Sequence, residues 1–204
     1  MNFGTKLDEQ GSFELLDRYL EAGGRFIDTA NNYALWWGGD GTEPENVLGR
    51  WAHRRKNGWL AYCCLQQRHT YLRPVAGARF DPQLAVDEEL LDCCASHAAD
   101  FLLLGYSSTL GGGYSGRPDR PIPPQYRGPA NEARLSTLSE VAREVGATPL
   151  RLVYAWMLHS APLALPLVSA GSLRQLDENL GALESILNAG QMKRLDEAGD
   201  PPKD

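Results

Sequence analysis

Phe26-Ile27-Asp28-Thr29-Ala30-Asn31-Asn32-Tyr33, residues 26–33, is an apolar run that ends in a carboxylate, with a tyrosine five residues further on. Asp28 falls at the C-terminal end of the strand predicted over Arg25-Phe26-Ile27-Asp28, and Tyr33 falls in the loop beyond it. Both can face one mouth of a sheet, where α/β folds keep their polar chemistry. A tyrosine there can donate a proton, but with an ordinary pKa of about 10 it is a poor acid at neutral pH unless a cation stands beside it. The residues alone favour a plainer reading, in which Asp28 caps the loop and Tyr33 packs on Trp36 or Trp37.

The segments around this run alternate between helix and strand. Phe13, Leu16 and Leu20 recur at helical spacing from Ser12 to Ala22, and Gly23-Gly24 supplies a stop. After the loop from Asn31 to Thr42, which carries Trp36-Trp37 and Gly38-Gly39, helix returns over Glu43 to Arg54 with Pro44 in its first turn. Tyr62-Cys63-Cys64-Leu65 reads as a buried strand and Asp87 to Ala95 as a helix. Phe101 to Tyr106 is a strand without polar alternation, the pattern of a strand covered on both faces. Residues 111–131 form a Gly/Pro-rich loop, long enough to be a functional cover or a disordered segment.

Helix resumes over Asn131 to Val145, and Thr148-Pro149 caps another that turns Leu152, Val153, Trp156 and Met157 inward. Leu163 to Val168 is the last strand. Ser172 and Gln175 have the spacing of a capping box, with Leu173 and Leu176 placed to pack, and a final helix lies near Gly190 to Ala198. This order predicts a parallel α/β fold with right-handed crossovers.

Composition narrows the function classes. With 204 residues, 43% hydrophobic and 23% charged, the chain can bury a sizeable core, and one compact domain is the expectation. A net charge of −6 with only four lysines gives no basic footprint for nucleic acid or an anionic membrane. No apolar run approaches the roughly 18 residues of a membrane span, and the N-terminus lacks a signal-peptide layout, so the chain reads as cytoplasmic.

The cysteines form two vicinal pairs, Cys63-Cys64 and Cys93-Cys94. Neighbouring cysteines bridge each other only with strain, so reduced thiols acting as small hydrophobes are expected. A zinc site adding His69 and His97 would lack C-x-x-C spacing, and no metal is expected.

Several motifs, in order, resemble the aldo-keto reductase family. They are Gly4-Thr5 with Asp8-Glu9; Phe26 to Ala30 with Tyr33; Glu43 through Leu48-Gly49-Arg50-Trp51; and Leu65-Gln66-Gln67-Arg68-His69-Thr70-Tyr71. Gly105-Tyr106-Ser107 with Leu110-Gly111-Gly112, and Leu163 to Val168 with Gln175-Leu176 and Glu178-Asn179, complete the set. Members fold as (β/α)8 TIM barrels of typically ~250 residues or more and reduce carbonyls with hydride from NADPH.

The resemblance runs in two blocks, residues 1–55 with the first two strand-helix units and 57–204 with units six to eight plus C-terminal helices. It therefore implies a single domain over 1–204, an incomplete barrel of about five parallel strands with surrounding helices, lacking three central units. A five-stranded parallel barrel cannot close at the usual tilt, so exposed strand edges and a homodimer through them are expected.

The resemblance also assigns roles. Asp28 and Tyr33 match catalytic positions, but nothing matches the lysine and histidine that complete the family's tetrad. Gln66 matches the position that holds the nicotinamide amide, and Tyr106 the one that stacks on its ring. Ser107 and Leu110 match contacts to ribose or pyrophosphate. Ser169, Ser172, Gln175, Glu178 and Asn179 match the adenosine-phosphate side, where a helix N-terminus suits an anion. Trp36, Trp37 and His69 are assigned to the substrate side. The implied cofactor is NADP, with NAD possible, and the implied substrate is a small carbonyl compound. The contrasting expectation is a non-catalytic truncated remnant that binds nucleotide or a protein partner through its exposed sheet edges.

Overall fold

The computed structural model describes residues 3–30, 33–35, 38–55 and 63–201. The chain divides into two compact units, residues 1–61 and 62–204.

The first unit is built on helices α1 (Glu9–Glu21) and α2 (Glu43–Arg55). Helix α1 begins earlier than its apolar spacing suggested, because the Asp8 carboxylate accepts the Gly11 N–H at 2.8 Å and caps the helix there. Phe13 and Leu16 of α1 pack with Val47, Leu48 and Trp51 of α2, and Phe3, Leu20 and Ile27 close over this small core. Two bonds pin the helices together, Trp51 Nε1 to Asp17 at 2.7 Å and Arg50 Nε to Glu9 at 2.7 Å.

Arg25–Asp28 carries no regular secondary structure and joins no strand ladder among the described residues. A side chain takes the place of a neighbouring strand: the Tyr19 hydroxyl donates to Phe26 O at 2.6 Å and accepts from Phe26 N at 3.3 Å. Gly24 makes this possible, since a Cβ there would lie 2.3 Å from the Tyr19 ring. Phe26 itself is 52% exposed, while Ile27 alone of the run reaches the core. Tyr19→Phe removes both bonds at a cost of about 1 kcal/mol. The expected result is faster hydrogen exchange at the Phe26 amide with α1 still helical; unchanged exchange would show that the hydroxyl does not hold this segment.

The second unit carries a three-stranded parallel sheet, β1 (Cys64–Arg68), β2 (Leu102–Tyr106) and β3 (Ala164–Pro166), in the order β1-β2-β3. Around it run α3 (Glu88–Ser96), α4 (Pro129–Glu144), α5 (Pro149–His159), α6 (Leu173–Leu180) and α7 (Ala189–Glu197). Helix α5 is the centre of the core: Leu152, Val153, Tyr154, Ala155, Trp156 and Met157 are all buried, as expected of a helix apolar on every side. Leu138, Val141 and Ala142 of α4, Leu195 of α7, and Leu103 and Ala164 of the sheet pack around it.

The Gly/Pro-rich stretch is ordered rather than open. Short 3-10 turns at Leu110–Ser115 and Pro124–Tyr126 bury Tyr114 and Tyr126, and α4 starts at Pro129. Asn131 fastens the stretch by donating to Arg73 O at 2.7 Å and Tyr126 O at 2.9 Å. Helix α7 opens with a capping box, Asn188 with Gln191, that the sequence reading did not find.

Among the described residues the parallel ladder has three strands. Two expectations are corrected. Of the four free cysteines, only Cys94 is buried, while Cys63 and Cys93 are exposed. Helix α6 buries none of its residues, so Leu173, 79% exposed, and Leu176, 39% exposed, do not pack. Among the described residues no helix is long and apolar enough to cross a membrane, and no three His, Cys, Asp or Glu side chains cluster as metal ligands.

Candidate functional site

In the first unit, Tyr33 lies beside Asp28, its N–H donating to Ala30 O at 3.3 Å. The Tyr33 hydroxyl donates to Asp28 Oδ2 at 2.8 Å, and Asp28 is exposed. This bond orients the phenol, and the phenol releases a proton most readily when a cation offsets the charge left behind. Trp36 and Trp37 lie outside the described residues.

In the second unit, register decides which side chains share a face. Gln66 pairs with Leu104 and Arg68 with Tyr106, and alternate residues of a strand point to the same side. Gln66, Arg68, Leu104 and Tyr106 therefore share one face. The opposite face is filled by α5: a Cβ on Gly105 would lie 2.4 Å from the Met157 terminal methyl. Gln66 and Tyr106 thus stand half-buried on the side away from α5. Burial pushes the Tyr106 phenol up, and the neighbouring Arg68 charge pulls it partly back.

The loop leaving β2 holds two non-glycine residues in left-handed backbone, Ser107 with φ 56° and Leu110 with φ 51°. Such residues cost of order 1 to 3 kcal/mol and persist only where the surroundings over-determine them. Here the surroundings are a buried polar network. Thr70 Oγ1 donates to Ser108 O at 2.5 Å and bonds the Tyr114 hydroxyl at 2.7 Å, and that hydroxyl accepts Leu72 N–H at 3.1 Å. Ser108 Oγ donates to Gly105 O at 3.0 Å. Tyr114 is 5% exposed and serves this network.

After β3 the chain enters α6 through a loop that its own helix ties down. Ser172 Oγ accepts Gln175 N–H at 3.3 Å, but the Gln175 amide oxygen accepts Gly171 N–H at 2.7 Å rather than the Ser172 amide of a strict capping box. Asn179 Nδ2 donates to Ser169 O at 3.0 Å, and Glu178 accepts from Thr148 Oγ1. Ser169, Ser172 and Gln175 remain exposed at the helix N-terminus, where amides and dipole favour an anion.

His69, assigned to the substrate side by resemblance, lies elsewhere. Its ring sits 5.7 Å from Trp156 of α5, and its Cβ adjoins Gly105 on the helix-covered face. Burial lowers its pKa from 6.5 to about 4. A neutral folded state with a depressed pKa is fully stabilised above pH 6.5, and that stability is lost as pH falls toward 4. The expected loss is about 2 to 3 kcal/mol. Urea unfolding between these pH values measures it, and His69→Gln flattens this part of the profile; an equally steep profile in the variant would assign the loss to other groups.

Sequence reasoning gave no role to Arg68 or Tyr126. The two-residue step from Gln66 was the available signal for Arg68, since it puts both on one face. For Tyr126, 1% exposed within a Pro-rich stretch, there was none.

Two stretches, residues 1–61 and 59–200, match the model of the Aldo/keto reductase family. An uncharacterised oxidoreductase of Bacillus subtilis is 41% identical over 51 residues, 25% of this chain and 15% of that protein. Pyridoxine 4-dehydrogenase of Escherichia coli is 38% identical over 61 residues, 30% of this chain and 21% of the relative. The crystal structure of a thermostable aldo-keto reductase with the inhibitor epalrestat superposes with a TM-score of 0.53 at 22% identity, over 95% of this chain and 56% of that one, a likeness of fold. The chain thus spans about half of the solved reductase, and its curated matches cover smaller shares. The matched stretches, together covering residues 1–200, place the chain in the aldo/keto reductase family.

Proposed function

We propose that this chain is an aldo-keto reductase-type oxidoreductase, which reduces an aldehyde or ketone with NADPH, or with NADH. The observation that carries this reading is the 2.8 Å bond from Tyr33 to Asp28, which fixes the phenol's position; to serve as general acid the hydroxyl turns its one proton from Asp28 to the carbonyl oxygen. When bound, the nicotinamide cofactor supplies the hydride. Gln66 offers an amide and Tyr106 a ring on one sheet face, suited to a flat polar ring. Ser107 and Leu110 belong to the loop beside it, and Ser169, Ser172 and Gln175 stand at the α6 N-terminus that would take the adenosine phosphates, with Asn179 tying Ser169 from the far end of the helix and Glu178 beside it. Tyr33 gives its proton to the carbonyl oxygen as hydride arrives at the carbon. Positioned acid help of this kind is worth about 10²- to 10⁴-fold, and without a match to the family's lysine and histidine it operates at a reduced rate.

On this reading the barrel lacks its central units. β1 and β3 each pair with a named strand on one side only, and a second copy along such an edge is the implied partner. The alternative reading, a remnant that binds nucleotide without turning over, rests on the unmatched lysine. Adding an aromatic aldehyde to the chain with NADPH separates the two. Saturable NADPH consumption supports the reductase, cofactor binding without consumption supports the remnant, and neither binding nor consumption sinks both.

A further inference from the structure

Arg68 ends β1, and its guanidinium is enclosed among aromatic rings. Its central carbon lies 4.9 Å from the Phe80 ring centroid and 5.5 Å from that of Tyr106. One terminal nitrogen donates to Gln83 Oε1 at 2.6 Å, while Nε is buried with no hydrogen-bond partner. Among the described residues, neither Arg68 nor Arg79 forms an ion pair with a carboxylate. An enclosed cation without a counter-charge and a buried donor without an acceptor are both costly, and natural structures rarely leave them so without a purpose.

Beside Arg68 opens a cleft of about 470 Å³, also lined by Arg79, Phe80, Asp81, Pro123 and Tyr126. This falls within the usual size range of small-molecule sites, ~300 to 1,000 Å³. The Phe80 and Tyr126 rings, 5.6 Å apart, supply flat apolar walls. Two guanidinium groups against the single Asp81 carboxylate leave one positive charge in the lining. Burial pushes the Tyr126 phenol up while Arg68 partly offsets this, as expected of a phenol lying beside that cation.

We propose that this cleft binds the carboxylate of a small planar monoanion. The anion supplies the counter-charge Arg68 and Arg79 lack, and its flat body lies against the wall that the Phe80 and Tyr126 rings form together. A guanidinium fork matches a carboxylate in shape as well as charge, which selects it over a bare alcohol.

Calorimetric titration of the full chain with benzoate, benzyl alcohol and inorganic phosphate tests this. Benzoate is expected to bind at one equivalent, about tenfold or more tightly than either of the others. Arg79→Gln is expected to weaken benzoate about tenfold without moving the unfolding midpoint, because Arg79 is exposed. Arg68→Met removes binding; if that variant fails to fold, Arg79→Gln decides alone. Equal affinity for benzyl alcohol, phosphate binding as tight as benzoate, absence of heat at millimolar benzoate, or an Arg79→Gln variant that binds normally would each overturn the proposal. The titration contains neither NADPH nor aldehyde, so its failure leaves the reductase reading standing, and a chain without turnover leaves this one standing.

Discussion

Replacing Tyr33 with Phe lowers carbonyl reduction by about 10²- to 10⁴-fold and leaves NADPH binding unchanged. The substitution keeps the ring and deletes only the hydroxyl that donates to Asp28 at 2.8 Å. With the hydroxyl gone, the carbonyl oxygen must take its proton from water at the moment hydride arrives, and the transition state loses its positioned acid. Cofactor affinity is independent of this atom if Gln66, Tyr106 and the α6 N-terminus hold the nucleotide. Consumption of NADPH with an aromatic aldehyde gives the rate, and fluorescence titration of NADPH gives the affinity. Equal turnover in the two proteins would remove Tyr33 from the chemistry. Asp28→Asn, which keeps the shape but removes the charge, tests whether the carboxylate orients the phenol through the same bond.

Arg134→Met lowers unfolding stability by about 3 to 4 kcal/mol, among the largest effects expected of a single side chain here. Arg134 is 2% exposed and lies 4.3 Å from the Tyr71 ring centroid. Its Nε donates to Tyr71 O at 3.0 Å, and one Nη donates to Ala198 O at 2.9 Å and Asp196 O at 3.3 Å. The cation thus closes the carbonyl end of α7, where positive charge is favoured, and joins α4 to the chain after β1. Burial pushes its pKa down, and a guanidinium stays charged at neutral pH. Methionine fills similar space and takes the donor from Tyr71 O and Ala198 O, while Asp196 O keeps Arg73 Nη2 at 3.1 Å. Arg134→Lys recovers only part of the loss, since an ammonium lacks the fork that serves carbonyls on two segments. Urea midpoints measure both variants; a loss below about 1 kcal/mol for Met would show that water satisfies the freed carbonyls.

Helix signals were the most legible part of the chain because they are local. The Thr148-Pro149 start of α5, its inward Leu152, Val153, Trp156 and Met157, and the Ser172 cap of α6 all stand where the spacing places them. Strand signals were less secure. Arg25–Asp28 has the apolar composition of a strand, yet a strand exists only by pairing, and the Tyr19 hydroxyl occupies the backbone groups that a neighbour would use. Cys63 looked buried by composition and is exposed, lying just before β1 begins at Cys64. The stretch at 111–131 read as loop because Gly and Pro forbid regular helix, while burial of Tyr114 and Tyr126 gives it a fixed form that composition cannot express.

The sequence by itself determined the family, since order and identity of short motifs survive in the residues whatever surrounds them. It placed Asp28 and Tyr33 five residues apart at one mouth of a sheet but left their contact open, and the structure supplies the bond between them. Tertiary structure alone decided the faces and the neighbours. Strand register set Arg68 beside Tyr106 and turned Gly105 and His69 toward α5, and the packing of Phe80 and Tyr126 closed aromatic walls on an arginine without a carboxylate partner. Those contacts join residues distant in the chain, so their energies depend on how the elements stack, which no local pattern of residues encodes.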